Sequence, residues 1–307
     1  MSAQTPVGGA IIPFEIPSTK QPAATWYKVL GKLDTPPLIV LHGGPGAGHE
    51  YVTPLADMHE KYQMPVIFYD QIGCGQSTRF PDKMGDDTFW TFDLFIKELE
   101  NLVSYFKLHE LGFYLIGQSW GGMLGGVYAA TKPAGLRKLI LSSAPASFPL
   151  YASGCRELLS QMPEDVRKVI EDCEKNGDFE SKEYESACMA FYSKHLCKLD
   201  PFPDSLMASL GHLQEDPGAY VTMQGPSEFT ITGNLKDWEG WKDSHQIEVP
   251  TLLLNGRYDE VRDACVEPWF RTIPKVKWVT LEKSAHMTHY EERERFMELC
   301  KGFLHEH

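Results

Sequence analysis

The sequence predicts an α/β protein: a mostly parallel sheet flanked by helices, with a helical segment inserted into it. Three observations predict it. Short apolar runs recur as strands buried on both faces require, among them Leu38–Leu41, Val66–Tyr69 and Thr251–Leu254. Helix-period segments lie between such runs, and that alternation implies parallel strands joined by right-handed crossovers. The alternation stops after Ser142 and resumes at Val249, leaving residues 145–245 with helical pattern and little strand signal.

Residues 1–23 are rich in Pro, Gly and Ala and predict extended structure; Ala24 to Val29 alternates around Trp26 and Tyr27 as an edge strand would. Leu38–Leu41 runs into His42-Gly43-Gly44-Pro45-Gly46, and Val66–Tyr69 into Asp70 and a glycine-rich turn, Gln71 to Ser77. Thr88 to Lys107 carries Phe92, Phe95, Ile96, Leu99, Leu102, Val103 and Phe106 at helical spacing. Phe113–Ile116 and Arg137–Leu141 are the next strands. In the inserted segment 155–175, 179–198 and 203–213 read as helical, broken at Met162-Pro163, Asn176-Gly177 and Asp200 to Pro203. Strands Thr251–Leu254 and Lys277–Leu281 follow, then a helix from about 291 with Phe296, Leu299 and Phe303 on one face. The expected division is a core in two parts, 1–144 and 246–307, around a helical cap, 145–245.

Composition narrows the function classes. A 42% hydrophobic and 23% charged chain is an ordinary globular one. Its net charge of −13 argues against a nucleic-acid partner, which needs a basic surface. Seven cysteines, an odd number without a Cys-x-x-Cys pair, fit free thiols in a reducing compartment, though a disulfide in the 155–197 region stays open. The N-terminal residues lack the basic and apolar regions of a signal peptide, and no apolar run is long enough to span a bilayer. These features predict a cytoplasmic monomer without membrane partners.

The chemistry centres on Gly117-Gln118-Ser119-Trp120-Gly121-Gly122, set between a strand and a helix-compatible run. A Gly-x-Ser-x-Gly in that context resembles the nucleophile elbow of α/β-hydrolases, where a strained turn lifts the serine hydroxyl clear of the sheet. A serine nucleophile needs a base and a group to orient it. Asp259 and His286 each follow a strand by a short turn, in the chain order Ser, acid, His that this fold uses. Asp263, His289 and His42 are weaker candidates: Asp263 lies one helical turn on, His289 enters the final helix, and His42 precedes the serine. The oxyanion donors would be the N–H of Trp120 and that of Gly44 in the His42–Gly46 loop. No metal motif is present, and Gly73-Cys74-Gly75 lacks the third glycine of a dinucleotide fingerprint, so no cofactor is predicted.

Taken together, His42–Gly46, Asp70-Gln-Ile-Gly-Cys-Gly-Gln-Ser77, Gly117–Gly122 and Gly256-Arg-Tyr-Asp259 resemble the proline iminopeptidases, α/β-hydrolase aminopeptidases with a helical cap, from about residue 25 to the C-terminus. Asp-Gln-Ile-Gly, where bacterial members usually have Asp-Gln-Arg-Gly, looks more like the tricorn-interacting aminopeptidase branch, which implies a range broader than proline. The resemblance implies that Glu228, in Gly225–Gly233, and Glu260 bind the substrate's free α-amino group, assisted by Tyr220. Two carboxylates suit an ammonium through charge-assisted hydrogen bonds. The implied activity is release of an N-terminal proline or other small or apolar residue from a peptide or amino-acid amide. A small-metabolite amidase or esterase with the same triad, and a low-turnover binding protein on the same scaffold, are the alternatives.

Overall fold

The computed structural model describes residues 8–306. Eight strands form one sheet in the order β1-β2-β4-β3-β5-β6-β7-β8. They are β1 (Ala10–Phe14), β2 (Ala23–Leu30), β3 (Leu38–Leu41), β4 (Val66–Tyr69), β5 (Phe113–Gln118), β6 (Leu136–Ser142), β7 (Thr251–Gly256) and β8 (Val276–Leu281). β2 pairs antiparallel with both β1 and β4; every other pairing is parallel. The segment expected at the sheet edge is β2, and it lies one strand in. The Pro-rich stretch before it supplies the edge as β1, where Pro13 costs no central ladder bond.

Side-chain alternation divides the core into two layers. Ile39 and Leu41 of β3 join one cluster with the helices Phe92–Tyr105 and Trp120–Ala130, while Leu38 and Val40 join another with the closing helix Arg293–His305. The first of these helices begins at Phe92 rather than near Thr88. Thr91 caps it by accepting the Leu94 N–H at 3.3 Å, and Asp86 folds Thr88 and Phe89 into a preceding turn. Between β6 and β7 the chain forms five helices, Phe148–Ser160, Glu164–Asn176, Lys182–His195, Asp204–Glu215 and Gly218–Met223. The whole excursion starts and ends at one place: Ser147 pairs antiparallel with Glu239, and the Phe148 N–H donates to the Trp238 carbonyl at 2.9 Å.

Strand order positions the site. β3 sits between β4 and β5, so the chain reverses direction across the sheet there, and crevices form outside the carboxyl ends of strands at such points. Leu41, the last residue of β3, lies opposite Gly117 of β5, which brings the His42–Gly46 loop beside Ser119. All seven cysteines are free. Among the described residues no helix is long and apolar enough to cross a membrane.

Candidate active site

Ser119 sits between β5 and the helix Trp120–Ala130 with φ 55° and ψ −124°, a conformation that side chains rarely adopt. The neighbouring residues hold it there. A Cβ on Gly117 would strike the Gly121 carbonyl, and one on Gly121 the Leu41 carbonyl, so only glycine lets strand and helix approach this closely. The Ser119 N–H donates to the Ser142 carbonyl at 2.9 Å, pinning the turn to the end of β6.

Asp259 and His286 follow β7 and β8 and are 2% and 3% exposed. The His286 Nδ1–H donates to Asp259 Oδ1 at 2.7 Å, which leaves Nε2 able to take a proton. Asp259 is itself held by the Val261 N–H at 2.8 Å and the Gly256 N–H at 3.4 Å. Burial works against a charged His286, but the adjacent Asp259 carboxylate outweighs it and raises the imidazole to about 9. The other histidines stand apart from this pair. His289 Nε2 contacts the Tyr51 carbonyl at 2.9 Å, and burial lowers it to about 4. His42 shapes its own turn: Nδ1 lies 3.0 Å from the Gly43 carbonyl and Nε2 accepts the Gln71 N–H at 2.9 Å. Asp263 accepts from the Asn255 amide in the first turn of the helix Asp263–Thr272.

The glycine loop presents Gly44 and not Gly43. The Gly43 N–H is taken by the Tyr51 hydroxyl at 2.6 Å, whereas the Gly44 N–H has no acceptor among the described residues and lines a narrow recess with Ser119 and Trp120. The Trp120 N–H lies in the first turn of its helix, where backbone donors lack intrahelical partners. Three residues outside the expected set, Tyr51, Gln118 and Gln71, fasten this arrangement. Tyr51 donates to Gln118 Oε1 at 2.5 Å, and Gln118 Nε2 donates to the His286 carbonyl at 3.3 Å. Gln71 Nε2 donates to the His42 carbonyl and its Oε1 accepts the Trp120 indole N–H, both at 2.9 Å. Sequence offers little signal for Tyr51, which lies in a 3-10 turn without periodicity.

Ser119 and His286 open onto one cavity of about 880 Å³ between the sheet and the inserted helices, and Glu228, Glu260 and Tyr220 line it too. Glu228 accepts from Tyr220 at 2.9 Å and from Tyr192 at 2.7 Å. Glu260 Oε1 accepts from Tyr151 at 3.3 Å, while its buried Oε2 has no partner. Burial, opposed by His286 and reinforced by the Glu228 and Asp259 carboxylates, raises Glu260 to about 8. Tyr151 and Tyr192 come from the inserted helices, too far away in sequence for spacing to reveal them. The turn Asp70 to Ser77 forms no phosphate cradle. The Asp70 carboxylate fills it, accepting N–H groups of His49 and Gln76 at 2.8 Å.

Residues 36–293 match the profile of the alpha/beta hydrolase fold, and with the strained elbow and the sheet order this makes the protein an α/β hydrolase. A proline iminopeptidase of Saccharolobus solfataricus is 37% identical over 87% of this chain and 84% of its own, and one of Thermoplasma volcanium is 34% identical over 91% and 92%. The chain belongs to the proline iminopeptidase family. Two crystal structures resemble it over nearly their full lengths. VinJ is 40% identical with a TM-score of 0.91, covering 97% of this chain and 98% of its own. The proline iminopeptidase of Mycobacterium smegmatis is 34% identical with a TM-score of 0.87, covering 97% of each.

Proposed function

We propose that this protein is a serine aminopeptidase that releases an N-terminal proline, or another small or apolar residue, from peptides or amino-acid amides. Ser119 attacks the first carbonyl while His286 Nε2 takes its proton. Asp259 orients and stabilises the imidazolium. The Gly44 and Trp120 N–H groups stabilise the tetrahedral oxyanion, His286 protonates the leaving amine, and water then cleaves the acyl-enzyme. Residues 145–245 act as the cap that selects substrate. The first side chain enters the narrow recess lined by Met123, Phe148, Leu235 and Val261, which favours compact apolar residues. The seven free thiols support a reducing, cytoplasmic setting.

The observation that carries the aminopeptidase reading is the unpartnered, buried Oε2 of Glu260 in the cavity that Glu228 and Ser119 share. A buried acceptor without a donor costs about 1–3 kcal/mol. A substrate ammonium removes that cost, and its positive charge lets Glu260 ionise. The test is hydrolysis of prolyl- and alanyl-p-nitroanilide. Ser119→Ala abolishes turnover with the fold unchanged by circular dichroism, and N-acetylation of the substrate removes cleavage by the native enzyme. Equal cleavage of free and acetylated substrates would overturn amine recognition.

A further inference from the structure

The cavity is asymmetric in a way that bears on the part of the substrate that leaves. On the acyl side the recess is narrow. On the other side the cavity is near the upper end of the roughly 300–1,000 Å³ that holds drug-sized ligands. Its walls come largely from the inserted helices and are mostly apolar, with Phe179, Met189, Leu206, Met207, Leu210 and Leu213 among them. Its charges have one sign. Among the described residues that line it there is no lysine or arginine, and the only imidazole is His286, already paired with Asp259. Four carboxylates line it: Glu228 and Glu260 near the serine, and Glu180 and Glu185, both exposed, at the rim.

A free dipeptide would place its C-terminal carboxylate in this space. With the substrate ammonium between Glu228 and Glu260, Glu180 and Glu185 are left uncompensated, and no cation awaits the new anion. Like charges facing one another across the cavity disfavour binding, and its mostly apolar wall supplies no cation to offset the hydration that the carboxylate would lose. We propose, building on the aminopeptidase reading above, that the preferred substrate is an aminoacyl amide of a bulky apolar amine that brings no carboxylate into the cavity. The scissile amide breaks as before, and the leaving nitrogen takes its proton from His286. Only the chemistry of the departing amine is new.

The test compares alanyl-leucine with alanyl-leucinamide and alanyl-β-naphthylamide, and the prolyl series likewise. The amides, which lack the carboxylate, exceed the free dipeptides in kcat/KM by at least about tenfold. Exchanging the rim charges in a Glu180→Lys/Glu185→Lys variant raises kcat/KM for the free dipeptide several-fold relative to that for the leucinamide. Concentrated salt, which screens exposed charges, narrows the same gap. Free dipeptides cleaved as well as the amides, or a gap indifferent to both the rim exchange and salt, would overturn the proposal. Failure of every free-amine substrate would instead overturn the aminopeptidase reading on which it rests.

Discussion

At the scale of single residues, Asp259 links the turn after β7 to His286, the proposed base, after β8. Its carboxylate accepts from His286 and from two backbone N–H groups, so it cannot rotate away when the imidazole charges. Burial alone would push His286 below its ordinary value of 6.5; the Asp259 charge lifts it above. Since the base acts when neutral, the acidic limb of kcat/KM lies above pH 6.5 in the native enzyme. Asp259→Asn removes the charge, moves that limb to lower pH, and lowers kcat by about 10³–10⁴-fold. A pH–rate profile of both forms measures each effect. Asp259, His286 and Ser119 were legible because each follows a strand end, and strands of this kind declare themselves as apolar runs. Tyr151 and Tyr192 were not, because a tyrosine on a helix carries no mark of the carboxylate it meets on another.

Among elements, the loops that follow β3, β4 and β5 form one fastened unit. Gln71, just after β4, reaches the His42 carbonyl on one side and the Trp120 indole on the other, while Trp120 also packs against Phe92 and Phe95 of the neighbouring helix. One amide side chain therefore bridges the two loops that carry the proposed oxyanion donors. Gln71→Leu leaves the indole N–H and the His42 carbonyl without partners. It lowers stability by about 1–3 kcal/mol and, by misplacing the donors, lowers kcat by about 10- to 100-fold with KM little changed. Thermal unfolding and steady-state kinetics of the variant separate the two. The glycine-rich turn that contains Gln71 stands out in the sequence, and the Asp70 carboxylate holds it by accepting the Gln76 N–H. Its fastening role was hidden because the partners, His42 and Trp120, lie on other loops and only the sheet order brings them together.

Across the whole molecule, one buried acid ties the sheet to the helix layer. Glu98, on the helix Phe92–Tyr105, accepts the Thr25 hydroxyl of β2 at 2.6 Å and the Ile72 N–H at 3.0 and 3.1 Å. Burial raises it to about 8 from an ordinary 4.5. The folded state thus keeps a proton that the unfolded chain releases above pH 4.5, and this contribution to stability falls as pH rises from there to about 8. Its slope is at most about 1.4 kcal/mol per pH unit. Glu98→Gln flattens that slope, which denaturant unfolding at pH 5, 6.5 and 8 would read. The sheet itself was the most legible feature, six of its strands being short apolar runs with ends within a few residues of those observed. β1 was not, because Ala10–Phe14 contains a proline and becomes a strand only by pairing with β2. The five helices between β6 and β7 have a different kind of independence. They leave and rejoin the sheet through one paired neck at Ser147 and Glu239, and no residue between those two belongs to a strand. Ser119, Asp259 and His286 lie outside that neck, and Glu228 with most of the apolar cavity wall lies inside it. In evolutionary terms, the proposed triad and most of the cavity's apolar wall are inherited on separate stretches of one gene, while Glu260, Met123 and Val261 travel with the sheet.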